Sequence, residues 1–330
     1  MSADLIHRAG EIIRQGGVVA FPTETVYGLG ADAFNPFAVA RVFEIKDRPH
    51  FDPLIVHISD FREMSRLAVD VPPDAERLIT RCWPGPLTIV LFKKEEVPDL
   101  VTAGLPTVAV RMPKHPIAIG LIREAGRPIA APSANPFGYV SPTTADHVRE
   151  QLGDRVDLIL DGGSCEVGLE STIVSFLEER PRLLRPGGLP LEEIEAIIGK
   201  VEATAVEVTS PASPGQLPRH YAPKTPIVIE GWENHLQTYR GKRVGLLAYK
   251  GTKASFPFHH VGILSPRGDL REAAANLFAA IRRLDVLHLE MILAQTVPEE
   301  GLGRAIMDRL RRASKRLEVN DTREIQGRIP

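Results

Sequence analysis

Cysteine is almost missing from this sequence of 330 residues, which has only Cys82 and Cys165. Two such residues make neither a disulfide framework nor a thiolate metal site, and they suit a reducing compartment. Long apolar runs are missing too. No segment approaches the roughly eighteen apolar residues of a membrane span. The N-terminal MSADLIHRAGEIIRQ mixes charges where a secretory signal would have an apolar centre. A cytoplasmic protein with no membrane partner is expected. The sequence also lacks a GxSxG elbow, a GKS/T phosphate loop, a metal-spaced His/Cys/Asp cluster and an evident carboxylate pair. Hydrolytic and metalloenzyme readings lose ground accordingly.

What remains is the composition of a soluble globular protein, with 43% apolar and 25% charged residues. The length exceeds what one hydrophobic core organises, which predicts two domains. The net charge of -2 conceals an asymmetry: residues 1–205 carry 21 Lys/Arg against 29 Asp/Glu, and residues 226–330 carry 17 against 12. A net-acidic first part argues against a general nucleic-acid clamp there, while leaving room for a small anion pocket.

Strand-like runs recur through the first two hundred residues: GVVAFP, PLIVHI, LTIVLF, TVAVRMP, PIAAPS, LILDGG and STIVSF. Between them, Asn35-Pro36 opens the helical pattern FAVARVFEIK and Ser141-Pro142 opens TTADHVREQLG, each a cap followed by proline at the first helical position. The mixture predicts an α/β fold, and the nearly unbroken apolar strands predict a sheet covered on both faces. Residues 206–225, VEVTSPASPGQLPRHYAPKT, are rich in Pro and Ser and read as a linker that carries His220 and Tyr221. Beyond it, IVIEGW, RVGLLAY, LREAAANLFAAIRRLDVL, MILAQTV and GLGRAIMDRLRRASKR read as a second, smaller α/β domain over 226–330. GLGR lacks the third glycine of a dinucleotide fingerprint and reads as the turn into the last helix.

Several groups could carry chemistry. Lys46 and Arg48 of KDRPHFDPLIVHI close a helical pattern, where cations are favourable against the macrodipole; alone they read first as a solvated helix end and only second as an anion site. Ser133, Asn135 and Ser141 of APSANPFGYVSPTTA lie ahead of a helix start, a place where hydroxyls, amides and free N–H groups bind anions, and equally an ordinary capped loop. Arg111 ends the strand TVAVRMP and suits bidentate carboxylate or phosphate recognition, or a surface ion pair. FPTETVYGLG sets Thr23, Glu24, Thr25 and Tyr27 in a turn after the first strand. His57 among apolar neighbours reads first as a core residue. Ser171 and Arg185 sit at strand ends in GLESTIV and LLRPG. A site of hydroxyls, one amide and several cations orients anions rather than shuttling protons.

Together FPTETVYGLG, the K-x-R of Lys46 and Arg48, PLIVHI, WPGPLT, VAVRMP, the S-x-N of Ser133 and Asn135, and STIV followed by LLRPG resemble the YrdC/Sua5 family over residues 10–190. HYAPKTP and GLGRAIMDRLRRAS resemble its two-domain, Sua5-type branch. The resemblance implies a YrdC-like twisted open-sheet domain (1–205), a linker (206–225) and a smaller Rossmann-like Sua5 domain (226–330). It implies a nucleotidyltransferase that joins L-threonine, bicarbonate and ATP into L-threonylcarbamoyladenylate and pyrophosphate, with Mg2+ on the ATP. The product would pass to the tRNA threonylcarbamoyl transferase machinery that modifies an adenosine of tRNAs reading ANN codons.

Carried over residue by residue, the resemblance gives Thr25, His57, Arg111, Ala131 and Ser171 to threonine, with Arg111 on its carboxylate. It gives Lys46, Arg48, Ser133 and Asn135 to catalysis, and Arg48, Asp52, Thr107, Ser133, Ser141 and Arg185 to ATP, with Tyr221 closing over the nucleotide. Asp52 departs from the Asn that the family often has before Pro-Leu, and it is expected either to face Mg2+ or to pair with Lys46 or Arg48. Two alternatives stand beside this reading: a carbamoyltransferase working through a carbamoyladenylate, and a module that binds tRNA or double-stranded RNA on the concave cationic face that YrdC-like domains have. The basic stretch RAIMDRLRRASKR is then a further contact for tRNA or the partner transferase, or simply a solvated helix face.

Overall fold

The computed structural model describes residues 3–203, 213, 215, 217–218, 220–252 and 255–315, without the side chains of 234 and 235. Most of 206–219 in the expected linker, and Arg316 of the basic stretch, lie outside the described residues.

Ten short strands build the first sheet: β1 (Val19–Phe21), β2 (Gly28–Asp32), β3 (Ile55–His57), β4 (Leu87–Phe92), β5 (Thr107–Arg111), β6 (Ile129–Ala130), β7 (Leu158–Ile159), β8 (Thr172–Ser175), β9 (Arg182–Arg185) and β10 (Glu202–Ala203). Their order is β10-β9-β8-β4-β5-β3-β6-β2-β1-β7, with parallel pairs such as β3–β5 and β4–β8 mixed with antiparallel ones such as β3–β6 and β4–β5. The strands read as continuous apolar text because both faces are covered, as alternate residues go opposite ways. Val56, Val108, Val110, Ile89 and Val174 join a core with Leu78, Ile79 and Ile194 from helices Pro73–Cys82 and Leu191–Ile198. Ile55, Ala109, Val90 and Ile173 form a smaller cluster on the other face. Helix Leu191–Ile198 and β10 thus belong to the large sheet.

The helix Pro36–Lys46 starts as its sequence predicts. Asn35 accepts hydrogen bonds from the N–H groups of Phe37 (3.1 Å) and Ala38 (3.3 Å), and the chain leaves through Asp47 in the left-handed region at φ 53°. The second start is displaced. The helix begins at Ala145 with Thr144 as its cap, so Ser141 caps nothing, and its hydroxyl donates to Glu170 instead.

The second sheet consists of β11 (Ile227–Val228), β12 (Val244–Ala248), β13 (His260–Ile263) and β14 (Met291–Ala294), all parallel in the order β11-β14-β12-β13. Val244, Leu246 and Ala248 face Trp232, whereas Leu247 faces helices Leu270–Asp285 and Gly303–Ser314. That second core runs on into Val26, Val140 and Leu169, so the two sheets share one apolar interface. Asp285 ties it: its oxygens accept from the N–H groups of Thr225 (2.7 Å) and Lys224 (3.2 Å) and from the Tyr139 hydroxyl. Asp285→Ala would orphan these three donors, and urea denaturation should show an unfolding free energy lower by about 2–4 kcal/mol.

Candidate active site

The register of the large sheet assembles one cavity. Pairing β3 with β5 in parallel sets His57 beside Arg111. Ala131, just past β6, donates its N–H to the Ile55 carbonyl, and Ser133 bridges Gly28. Ile55 and His57 share a face by the two-residue period of a strand, as Ala131 and Ser133 do. Around this face the cavity is lined by Thr23, Thr25, Arg48, Arg111, Glu170, Ser171 and Arg185, and by Gly215, His220 and Tyr221 of the linker region.

Each guanidinium on the wall has defined partners. Arg111 donates to Glu24 (2.7 Å), to the Thr25 hydroxyl (2.9 Å) and to the Gly85 carbonyl (3.3 Å). The second Glu24 oxygen takes the Lys114 N–H at 2.9 Å, which fixes the carboxylate. Arg48 donates to the carbonyls of Asp52 (3.0 Å) and Pro53 (2.8 Å), and its Nη2 lies 2.9 Å from the Asp52 carboxylate. Arg185 donates to the carbonyl and the hydroxyl of Ser171, at 2.9 and 3.2 Å. The Ser171 hydroxyl also meets Thr88 at 2.7 Å.

Burial dominates the electrostatics. It drives the His57 imidazole down to about 3, with Arg111 adding to the effect, so the ring is neutral at any physiological pH. His220 is pushed well below its usual value for the same reason, reinforced by Arg48 and Lys46. Burial lowers Arg48 and Arg185 and raises Tyr221. On Glu170 burial acts upward, yet Arg309 and Arg185 outweigh it and hold the carboxylate below its usual range. Its two oxygens are taken by Ser141 (2.5 Å) and Arg309 (2.8 Å).

Of the expected site residues, the cavity brings together Thr25, Arg48, His57, Arg111, Ala131, Ser133, Ser171, Arg185 and Tyr221. Four others stand one layer behind the wall. Lys46 is buried, and its ammonium donates to the carbonyls of Ser133 (2.5 Å) and Asn135. It holds that loop, in place of the solvated charge or direct phosphate contact expected of it. Asn135 braces the same loop, donating to Pro136 (2.8 Å) and Tyr139 (2.9 Å). Asp52, fully buried, is the ion-pair partner of Arg48 and does not face the cavity. Ser141 supports Glu170. Thr107 is not brought to the cavity: it begins β5, paired with Phe92, four residues and about 13 Å of strand away from Arg111.

Three residues of the site escaped the sequence reading in these roles: Glu24, Glu170 and Arg309. Arg309 sits in the basic stretch that invited an RNA reading, and it is completely buried. A signal for it exists: Ala305, Ile306, Arg309, Leu310 and Ala313 fall on one helical stripe, and all are buried. In the same helix Arg304 pairs with Glu192, Arg311 with Glu299 and Arg312 with Asp308.

Among the described residues no group of three His, Cys, Asp or Glu side chains could hold a metal ion. The arrangement sets a buried, pre-oriented group of cations and hydroxyls around one cavity, a chemistry suited to anionic groups.

Comparison with known proteins agrees with this architecture. A family model described as telomere recombination matches residues 11–187, and one described as the C-terminal domain of threonylcarbamoyl-AMP synthase matches residues 189–315. The threonylcarbamoyl-AMP synthase of Pyrococcus abyssi is 47% identical over 325 residues, with 94% of each chain covered. That of Bacillus subtilis is 44% identical over 320 residues, covering 94% of this chain and 92% of the other. The crystal structure of P. abyssi Sua5 complexed with L-threonine superimposes with a TM-score of 0.90 at 46% identity, covering 95% of both chains. The chain belongs to the two-domain, Sua5-type family of threonylcarbamoyl-AMP synthases.

Proposed function

We propose that this protein makes L-threonylcarbamoyladenylate from L-threonine, bicarbonate and ATP, releasing pyrophosphate and water. The observation that carries the reading is the match to the P. abyssi enzyme along nearly the whole of both chains, in a fold whose relative was crystallised with L-threonine. The threonine amine takes up carbon dioxide as a carbamate, whose oxygen attacks the α-phosphorus while the bond to the β-phosphate breaks. Arg111, oriented by Glu24 and Thr25, suits the threonine carboxylate. Arg48, Arg185 and Ser133 suit the phosphates, and Tyr221 suits the nucleotide side of the cavity. Mg2+ enters as the ATP complex, bound chiefly by phosphates and water, which is how that ion is commonly held.

A carbamate is already an anion, so this step calls for charge neutralisation and alignment and no strong base. The wall supports that reading: His57 is neutral and too weakly basic, and both Glu170 oxygens are occupied. The adenylate would then serve the tRNA threonylcarbamoyl transferase machinery in the cytoplasm. No described helix is long and apolar enough to cross a membrane. Direct tRNA binding by the last helix is disfavoured, since Arg304, Arg309, Arg311 and Arg312 all have carboxylate partners within the protein.

Pyrophosphate release should require both threonine and bicarbonate, and a malachite-green assay with coupled pyrophosphatase reads it. Release that ignores threonine would favour the carbamoyltransferase reading instead. Arg48→Ala should lower kcat/KM for ATP by about 10²–10³. It should also destabilise the fold by about 3–5 kcal/mol, because Asp52 is left buried without its cation. Adding Asp52→Asn should restore stability, measured by urea denaturation, and leave activity lost. His57 sets a pH test. A base whose folded pKa lies near 3, against about 6.5 unfolded, contributes stability that is complete above pH 6.5 and lost as pH falls toward 3. The imidazole should therefore show no titration between pH 8 and 5 by NMR, and His57→Phe should reduce the slope of stability against pH in the 3–6.5 window by about one proton.

A further inference from the structure

Arg309 lies in the last helix of the second domain, 0% exposed, and one guanidinium there meets three elements of the cavity wall from behind. Its Nε donates to Glu170 at 2.8 Å, and Glu170 directly precedes Ser171, the partner of Arg185. Its Nη1 donates to the Pro186 carbonyl at 2.9 Å, one residue past Arg185. Its charge centre stands 4.9 Å from the centroid of the Tyr221 ring, within the range of a cation–π contact.

Tyr221 needs such a hold. It is held at φ 61°, a conformation that costs a non-glycine residue free energy unless its surroundings over-determine it. Phe278 stacks on its ring at 5.7 Å. Its hydroxyl is buried without a hydrogen-bond partner among the described residues. Packing alone would be served as well or better by an apolar residue at position 309, because isolating a guanidinium from water is expensive.

We infer that Arg309 is a positioning residue for adenylate formation: through Glu170, Pro186 and the Tyr221 ring it sets Arg185 and Tyr221 for the nucleotide, and this is what the second domain contributes to the site. The inference rests on the proposed function for its kinetic consequence, but its structural consequence can be read without turnover.

The test compares the full-length wild type with Arg309→Met. Hydrogen exchange without substrate should be at least tenfold faster at the Ala222 amide, which bonds the Gly138 carbonyl beside Tyr221. It should be unchanged at the Thr225 amide, which bonds Asp285 in the same interface. Equal acceleration at both would mean that Arg309 merely glues the domains, and would overturn the inference. Kinetically, KM for ATP should rise about tenfold or more with KM for threonine little altered. The double variant Arg309→Met/Tyr221→Ala should lose less than the product of the two single losses, the remainder being the share that acts through Arg185. Multiplying losses, or an unchanged KM for ATP in folded protein, would refute it.

If Arg309→Met does not fold, Arg309→Lys carries the same test. It keeps the charge and lacks the planar fork that bridges Glu170 and Pro186, so it should raise KM for ATP about threefold or more; wild-type kinetics would be contrary. A wild type that releases no threonine-dependent pyrophosphate would overturn the proposed function, while the exchange comparison would still decide the role of Arg309.

Discussion

Removing a guanidinium from water costs several kcal/mol even after relaxation, and Arg48, Arg111, Arg185 and Arg309 are all 6% exposed or less. Much of the structure around the cavity is an answer to that cost. Glu24 is presented to Arg111 by the turn after β1, and Asp52 to Arg48 by the turn before β3. Glu170 reaches Arg309 from the segment leading into β8. Arg185 uses the carbonyl and hydroxyl of Ser171. Arg48 finds its partners within five residues, whereas Arg111, Arg185 and Arg309 take theirs from other elements, which have to be in place before these three cations are stable. The result is a field fixed in advance of the ligand, the property that lets electrostatics lower a barrier without reorganising at the moment of reaction.

The sequence discloses residue types more readily than partnerships. The strand runs and the Asn35-Pro36 start follow local rules of period and capping, and they are found where those rules put them. Ser141 shows the limit: its Ser-Pro pair has the form of a cap, but Glu170, 29 residues further on, competes successfully for the hydroxyl. Arg309 shows it again. A run of arginines reads as a solvated face by composition, whereas the helical period turns one of them inward. Thr107 was carried over by resemblance, and no local pattern says that it begins β5 while Arg111 ends it. Lys46 is the subtler case, since its position near the site is legible and its two carbonyl acceptors, 87 and 89 residues away, are not.

The shared core explains why a second domain can matter to chemistry that the first domain houses. Tyr221 belongs at once to that core, through Phe278, and to the cavity wall. A residue with both memberships cannot move toward or away from the ligand without disturbing the packing of helix Leu270–Asp285. Gly215 restricts it further: a Cβ there would lie 2.6 Å from the Tyr221 hydroxyl and 3.1 Å from Arg185, at a backbone φ of +81° that already favours glycine. The linker region therefore contributes shape as well as a side chain.

Asp52 is then accounted for by the same constraint. Lys46 and Arg48 lie close enough that burial and Arg48 both push the lysine toward losing its proton, and Asp52 acts in the opposite direction. On Asp52 burial acts upward, countered by Arg48, Lys46 and Arg185. Asp52 favours the charged forms of Lys46 and Arg48, and both of them favour its carboxylate, while the two cations repel each other. A carboxylate one layer behind the wall gives the two cations a counter-charge without occupying space in the cavity. An asparagine there would keep the Arg48 contact to the backbone carbonyl of that residue and lose the counter-charge, leaving Lys46 the weaker cation of the two.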